Sequence, residues 1–149
     1  MSVEVLTQVV IDRPRAEVAA YAADPDNATR WYVNIKSVEW QTPRPLAVGS
    51  RIAFVAEFLG RRLEYVYEIT QLEPERRLVM RTPAQPFPME TTYTWEDADG
   101  GGTLMTLENS GAPSGVSRLA TPFIARSMRR ANRKDLDLLK RILEPGAQE

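Results

Sequence analysis

The chain contains no cysteine and no histidine. The first absence removes disulfides, thiolate metal sites, iron–sulfur clusters and a catalytic thiol. The second removes every Ser–His or Cys–His pair, and with it the side chain that titrates unperturbed near neutral pH. Any proton transfer falls to Asp, Glu, Lys, Tyr or water. A metal would need carboxylate and carbonyl ligands alone, so neither a metal nor a cofactor is expected.

Long apolar runs are also missing. Nothing approaches the roughly 20 residues that cross a bilayer. The opening MSVEVLTQVVIDRP has no basic segment ahead of an apolar one. A cytoplasmic protein without membrane insertion is the expectation. Charge of one sign is lacking too: 19 basic against 20 acidic residues leave a net charge of −1, so no nucleic-acid partner is expected. No internal repeat stands out. A length of 149 residues suits one domain, 1–149, large enough to bury a core without staples.

What is present is alternation. Residues 3–11, VEVLTQVVI, are β-branched and read as a strand. Pro14 opens a short helix over 14–23, and Asp24-Pro25 repeats the signal as N-cap and first residue of a second helix ending near Trp31-Tyr32. Six strands are predicted next, over 34–41, 50–59, 62–72, 77–82, 89–96 and 103–109. The turns between them are Thr42-Pro43-Arg44-Pro45, a two-residue hairpin at Gly60-Arg61, Pro74-Glu75-Arg76, a Pro-rich loop at 83–88 and a Gly-rich turn from Asp97 to Gly102. With Thr121 as N-cap and Pro122 as first residue, a long helix is predicted from 122 to about residue 143, with 114–120 a separate turn or short helix and Pro145-Gly146 the stop. Its apolar stripe is Ile124, Met128, Ala131, Leu138, Leu139 and Ile142. Clean strand alternation with one broad-striped helix implies an α+β fold, an antiparallel sheet covered on one face.

Three stretches carry a resemblance: VVIDRPRAEVAAYAADPDNATRW at 9–31, VGSRIAFVAEFLGRRLEYVYEITQLEPERRLVMR at 48–81, and YTWEDADGGGTLMTLEN at 93–109. Together they resemble the SRPBCC superfamily, the helix-grip fold of the birch-pollen allergen and START domains, in its bacterial polyketide cyclase/dehydratase-like branch. The resemblance implies a seven-stranded antiparallel sheet curled around the C-terminal helix, with a hydrophobic cavity open at one end. Fold alone does not assign activity within such a superfamily.

The helix-facing parity collects Phe54, Phe58, Tyr65, Tyr67, Met80, Tyr93, Trp95 and Met105 from the strands and Met128 from the helix. Core packing accounts for such residues one by one. As a set, three tyrosines and a tryptophan each bring a polar atom that needs a partner when buried, which is how apolar ligand sites are furnished. Asn109 ends the last strand on the same parity, either satisfying backbone groups or bonding a ligand carbonyl. Trp31-Tyr32 either lies at the cavity mouth or anchors the short helices to the sheet. Glu57, Glu64, Glu68, Glu90 and Glu96 fall on the outward parity, as cross-strand partners for Arg51, Arg62, Arg77 and Arg81. A one-residue slip in any strand would turn its Glu inward.

Between 117 and 141 basic residues outnumber Asp135 and Asp137, and positions 126, 130, 133, 137, 140 and 141 share one helix face. A solvated face suits them. The leading reading is a small-molecule-binding protein whose partner is an apolar lipid-like, aromatic or polyketide-like ligand. Two alternatives stand beside it: a cyclase or dehydratase acting on a similar ligand, and an interaction module using the basic helix.

Overall fold

The structure is a computed structural model that describes residues 3–82, 89–111 and 121–144. Its elements are β1 (Val3–Ile11), α1 (Arg15–Ala23), a 3-10 turn (Pro25–Asn27), α2 (Ala28–Trp31), β2 (Ile35–Trp40), β3 (Arg51–Phe58), β4 (Arg61–Glu73), β5 (Arg77–Arg81), β6 (Met89–Asp97), β7 (Thr103–Gly111) and α3 (Thr121–Leu143). The seven strands form one antiparallel sheet in the order β1-β7-β6-β5-β4-β3-β2. The sheet curls around α3, which packs on β1 and α2. This is the helix-grip fold. The expected loop at 83–88, the turn or helix at 114–120 and the stop at Pro145-Gly146 lie outside the described residues.

Local chemistry explains most boundaries. Pro14 is the N-cap of α1 rather than its first residue, because its ψ of 149° keeps it extended. Asp24 behaves as expected, its carboxylate accepting from Asp26 N at 3.0 Å above Pro25. Pro122 is the second residue of α3 rather than its first, still among the opening residues whose N–H has no partner within the helix.

Two sheet details differ from the expectation. The β3–β4 turn is Leu59-Gly60, one residue earlier than Gly60-Arg61, and both residues have positive φ (54° and 76°), as a type I′ hairpin demands. The pairing becomes Phe58↔Arg61 and Phe54↔Tyr65. That moves the register by two residues and leaves every face unchanged. On β4 a bulge between Ile69 and Gln71 re-phases the strand, so that Leu72 rather than Gln71 pairs with core Leu78.

The basic helix face is partly committed to the fold. β1 is an edge strand, and its outward carbonyls need donors. Arg133 Nη1 donates to Gln8 O and Lys140 Nζ to Val10 O, both at 2.8 Å. Lys140 also pairs with Glu144, whose carboxylate accepts from Asp12 N. Outside the sheet, Arg51–Glu68 and Arg81–Glu90 are the expected cross-strand pairs. Arg62 instead pairs along its own strand with Glu64. Arg77 makes no ion pair among the described residues.

Candidate functional site

A cavity of about 340 Å3 lies between the curled sheet, the short helices and α3. Exposure grades along it. Leu59 and Arg61 on the hairpin are exposed and mark the mouth, while Leu78, Tyr93, Asn132 and Asp135 are buried and mark the inner end. The size falls within the usual range of small-molecule pockets.

Aromatic rings build one wall. Phe54 stacks on Tyr65 with centroids 5.6 Å apart, and Tyr67 meets both edge-on at 5.8 and 5.2 Å. Strand pairing sets this cluster: Phe54↔Tyr65 and Ile52↔Tyr67 put the three rings on neighbouring positions of one face. Edge-to-face and offset geometries are the favourable ones for such rings.

The polar atoms divide into satisfied and unsatisfied. The hydroxyls of Tyr32 and Tyr93 bond each other at 2.6 Å. Tyr67 Oη donates to Thr91 Oγ1 at 2.7 Å, which donates onward to Asn109 Oδ1 at 2.8 Å. The hydroxyl of Tyr65 has no partner among the described residues. Burial pushes all four phenols up, Tyr67 to about 12, with neighbouring phenols and Asp135 adding to the effect on Tyr32, Tyr65 and Tyr93. They therefore remain neutral hydroxyls.

Asp135 is the one strongly perturbed carboxyl among the described residues. It is 2% exposed on α3 and lines the cavity. Desolvation raises its pKa to about 7, against the lowering effect of the Val33 backbone N–H. Val33 N donates to Oδ1 at 2.9 Å. The other oxygen has no partner among the described residues. One turn earlier, Asn132 is 7% exposed and also lines the cavity, and its Nδ2 is buried with no hydrogen-bond partner among the described residues.

Of the residues expected at the site, Phe54, Phe58, Tyr65, Tyr67, Met80, Tyr93, Asn109 and Met128 line the cavity. Trp95 and Met105 share the parity but are not among the lining residues; they are buried in the core beside Ile11 and Leu107. Trp31 is fully buried and packs on Tyr93, so it anchors the short helices, while Tyr32 reaches the cavity wall. Glu90 keeps its outward pair with Arg81 at 2.7 Å although it borders the cavity.

Asp135 and Asn132 escaped the sequence reading because it sought apolar residues on α3. The signal was there. Met128, Asn132, Asp135 and Leu139 are spaced by four, three and four residues, which puts two polar side chains on the covered face.

A curled sheet gripping one helix around a walled cavity defines the class. Residues 2–144 match the family described as polyketide cyclase / dehydrase and lipid transport. The chain belongs to that family. No curated protein matches the sequence. Among solved structures, the protein TTHA0849 from Thermus thermophilus is similar at 19% identity and TM-score 0.81, covering 96% of this chain and 98% of that one. A START superfamily protein from Mycobacterium smegmatis gives 12% and 0.80, covering 95% and 97%. The Zhui aromatase/cyclase from a Streptomyces species gives 14% and 0.79, covering 97% and 94%. At such identities the likeness is one of fold.

Proposed function

We propose that this chain binds an apolar small molecule, lipid-like, aromatic or polyketide-like, in the cavity between sheet and α3. The observation that carries the reading is the wall itself. Phe54, Leu63, Leu78, Met80 and Met128 supply apolar surface, and a few hydroxyl and amide groups are set among them. That mixture holds a ring or chain by burial and orients it by a small number of polar contacts. Met80 and Met128 add surface that repacks around irregular shapes. The family's description, which names both cyclisation and lipid transport, fits such a ligand. Native mass spectrometry of the purified protein, followed by denaturing extraction, tests the reading. A co-purifying apolar molecule supports it. A bare protein that also ignores fatty acids, sterols and aromatic polyketides overturns it.

A second reading, cyclisation or dehydration of a similar ligand, is favoured by Asp135. A carboxyl with a pKa near 7 exchanges its proton readily at neutral pH. Protonated Asp135 would hand its proton to a hydroxyl that leaves as water, and the resulting carboxylate would take up the proton lost from the adjacent carbon as the double bond forms. Asp135→Asn separates the readings. It abolishes turnover of a poly-β-ketone substrate if the protein is an enzyme, and leaves ligand retention intact if the protein is a carrier.

A further inference from the structure

We propose that the cavity takes a ligand carrying a protonated amine, whose ammonium group pairs with the Asp135 carboxylate at the inner end while its apolar body lies against the ring wall. The inference rests on the ligand-binding reading above and narrows its ligand class. Asp135 lines the cavity and accepts from Val33 N through Oδ1. Its Oδ2 has no partner among the described residues and, unlike the Asn132 nitrogen, is not sealed off. A nitrogen the size of a water molecule can reach it. Charges this deep are normally paired. Yet among the described residues no lysine or arginine forms an ion pair with Asp135. Of the other charged residues lining the cavity, Asp24 and Arg61 are exposed and Glu90 is tied to Arg81. The inner end therefore holds an acid and no base. An anionic ligand head would be repelled there, and a neutral one would leave the carboxylate unpaired. An ammonium group supplies the missing partner.

The surroundings suit a cation. Tyr32 beyond α2, Tyr65 on β4 and Tyr93 on β6 bring hydroxyls close enough to feel the charge of Asp135. An ammonium group has three N–H donors, and a phenol oxygen accepts. Tyr65 Oη, without a partner among the described residues, is free to do so. The ring faces of the same wall attract positive charge. These phenols are neutral at every pH used below, since burial raises them all. The other elements packed on α3 bring no titratable group inward. Glu4 on β1 and Arg30 on α2 are exposed, as are Arg133, Lys134 and Asp137 beside Asp135 on α3 itself.

The test uses 1-naphthylmethylamine, a cation at neutral pH, and 1-naphthylmethanol, its uncharged match in shape, on the full chain by equilibrium dialysis. Asp135→Asn keeps the shape and the oxygen that accepts from Val33. At about pH 8 it is expected to lower the amine-to-alcohol affinity ratio about 10- to 100-fold, the worth of a hydrogen bond to a charged group. Neutral ligands, a poly-β-ketone included, should bind the variant as well as the wild type. In the wild type the ratio should rise between about pH 5 and about pH 8, as a carboxyl with a pKa of about 7 ionises; in the variant it should stay flat. The wild-type pH series needs no substitution, so it decides the matter if Asp135→Asn fails to fold. An unchanged ratio in the variant overturns the assignment. So does a wild-type ratio that does not rise with pH. If the alcohol binds and the amine does not, this assignment alone falls. If neither compound binds, the ligand-binding reading itself fails, and this assignment with it.

Discussion

Asp135 Oδ1 accepts a hydrogen bond from Val33 N at 2.9 Å, joining positions 102 residues apart in the chain. The bond ties α3 to the segment after α2 and holds a carboxyl where water is scarce. Its consequences can be measured through pH.

The proton on Asp135 is retained in the folded protein up to about pH 7, against a usual value of 3.8. Between those values the folded state binds more protons than the unfolded one, so stability falls as pH rises through that window and levels off above it. At about 1.4 kcal/mol per pKa unit, the loss is at most roughly 4 kcal/mol. Urea midpoints at pH 4.5 and pH 8 should show wild type losing stability relative to Asp135→Asn, which has no such proton to release. Parallel pH profiles for the two proteins would refute the burial of this carboxyl.

The 2.6 Å hydroxyl pair of Tyr32 and Tyr93 should behave as a coupled unit. Each single Phe variant leaves one buried hydroxyl unpaired and is expected to lose about 1–3 kcal/mol. The double variant should lose clearly less than the sum of the two. Denaturant unfolding of all four proteins checks this, and additivity would count against the bond.

Trp95→Ala and Tyr65→Phe should have opposite signatures. Trp95 is 2% exposed in the core, and truncation is expected to cost about 3–5 kcal/mol. Tyr65→Phe removes a hydroxyl with no partner among the described residues. It should change stability by no more than about 0.5 kcal/mol while altering affinity for an oxygen-bearing ligand. Thermal melts beside binding titrations separate the two.

The hairpin offers a stabilising change. Leu59 has a φ of 54°, a region that costs an ordinary side chain about 1–2 kcal/mol and that asparagine tolerates. Leu59→Asn should raise stability by about 0.5–1 kcal/mol with Gly60 unchanged, by the Asn-Gly preference of such turns. An unchanged or lower denaturation midpoint would refute the turn assignment.

Much of the architecture was legible because it follows from short-range rules. The alternation of Ile52, Phe54, Ala56 and Phe58 against Arg51 and Glu57 assigns a face to β3 without any knowledge of its neighbours. Even the misplaced hairpin turn preserved those faces, since it moved the pairing by an even number of residues. The bulge at Thr70 was not legible, as nothing in a threonine announces an unpaired position. Eight of the ten expected site residues reach the cavity wall, but parity cannot tell a wall from a core. Trp95 and Met105 are on the right face and too deep. Asp135 was hidden for a different reason: an acid in a basic stretch, with Asp137 two residues on, looks like solvated charge until the helix is docked.

The attachment of α3 is lopsided. Among the described residues, its side-chain hydrogen bonds to the rest of the fold start at Arg133: Arg133 to Gln8, Asp135 to Val33, Lys140 to Val10, and Glu144, just past its end, to Asp12. Lifting the whole helix would break all of these and strip donors from a bare strand edge. Lifting the turns that carry Ile124 and Met128, both facing the cavity, breaks none of them. Among the described residues, the polar anchorage of the helix thus belongs to its carboxyl-terminal half, and the turns over the cavity share in none of it.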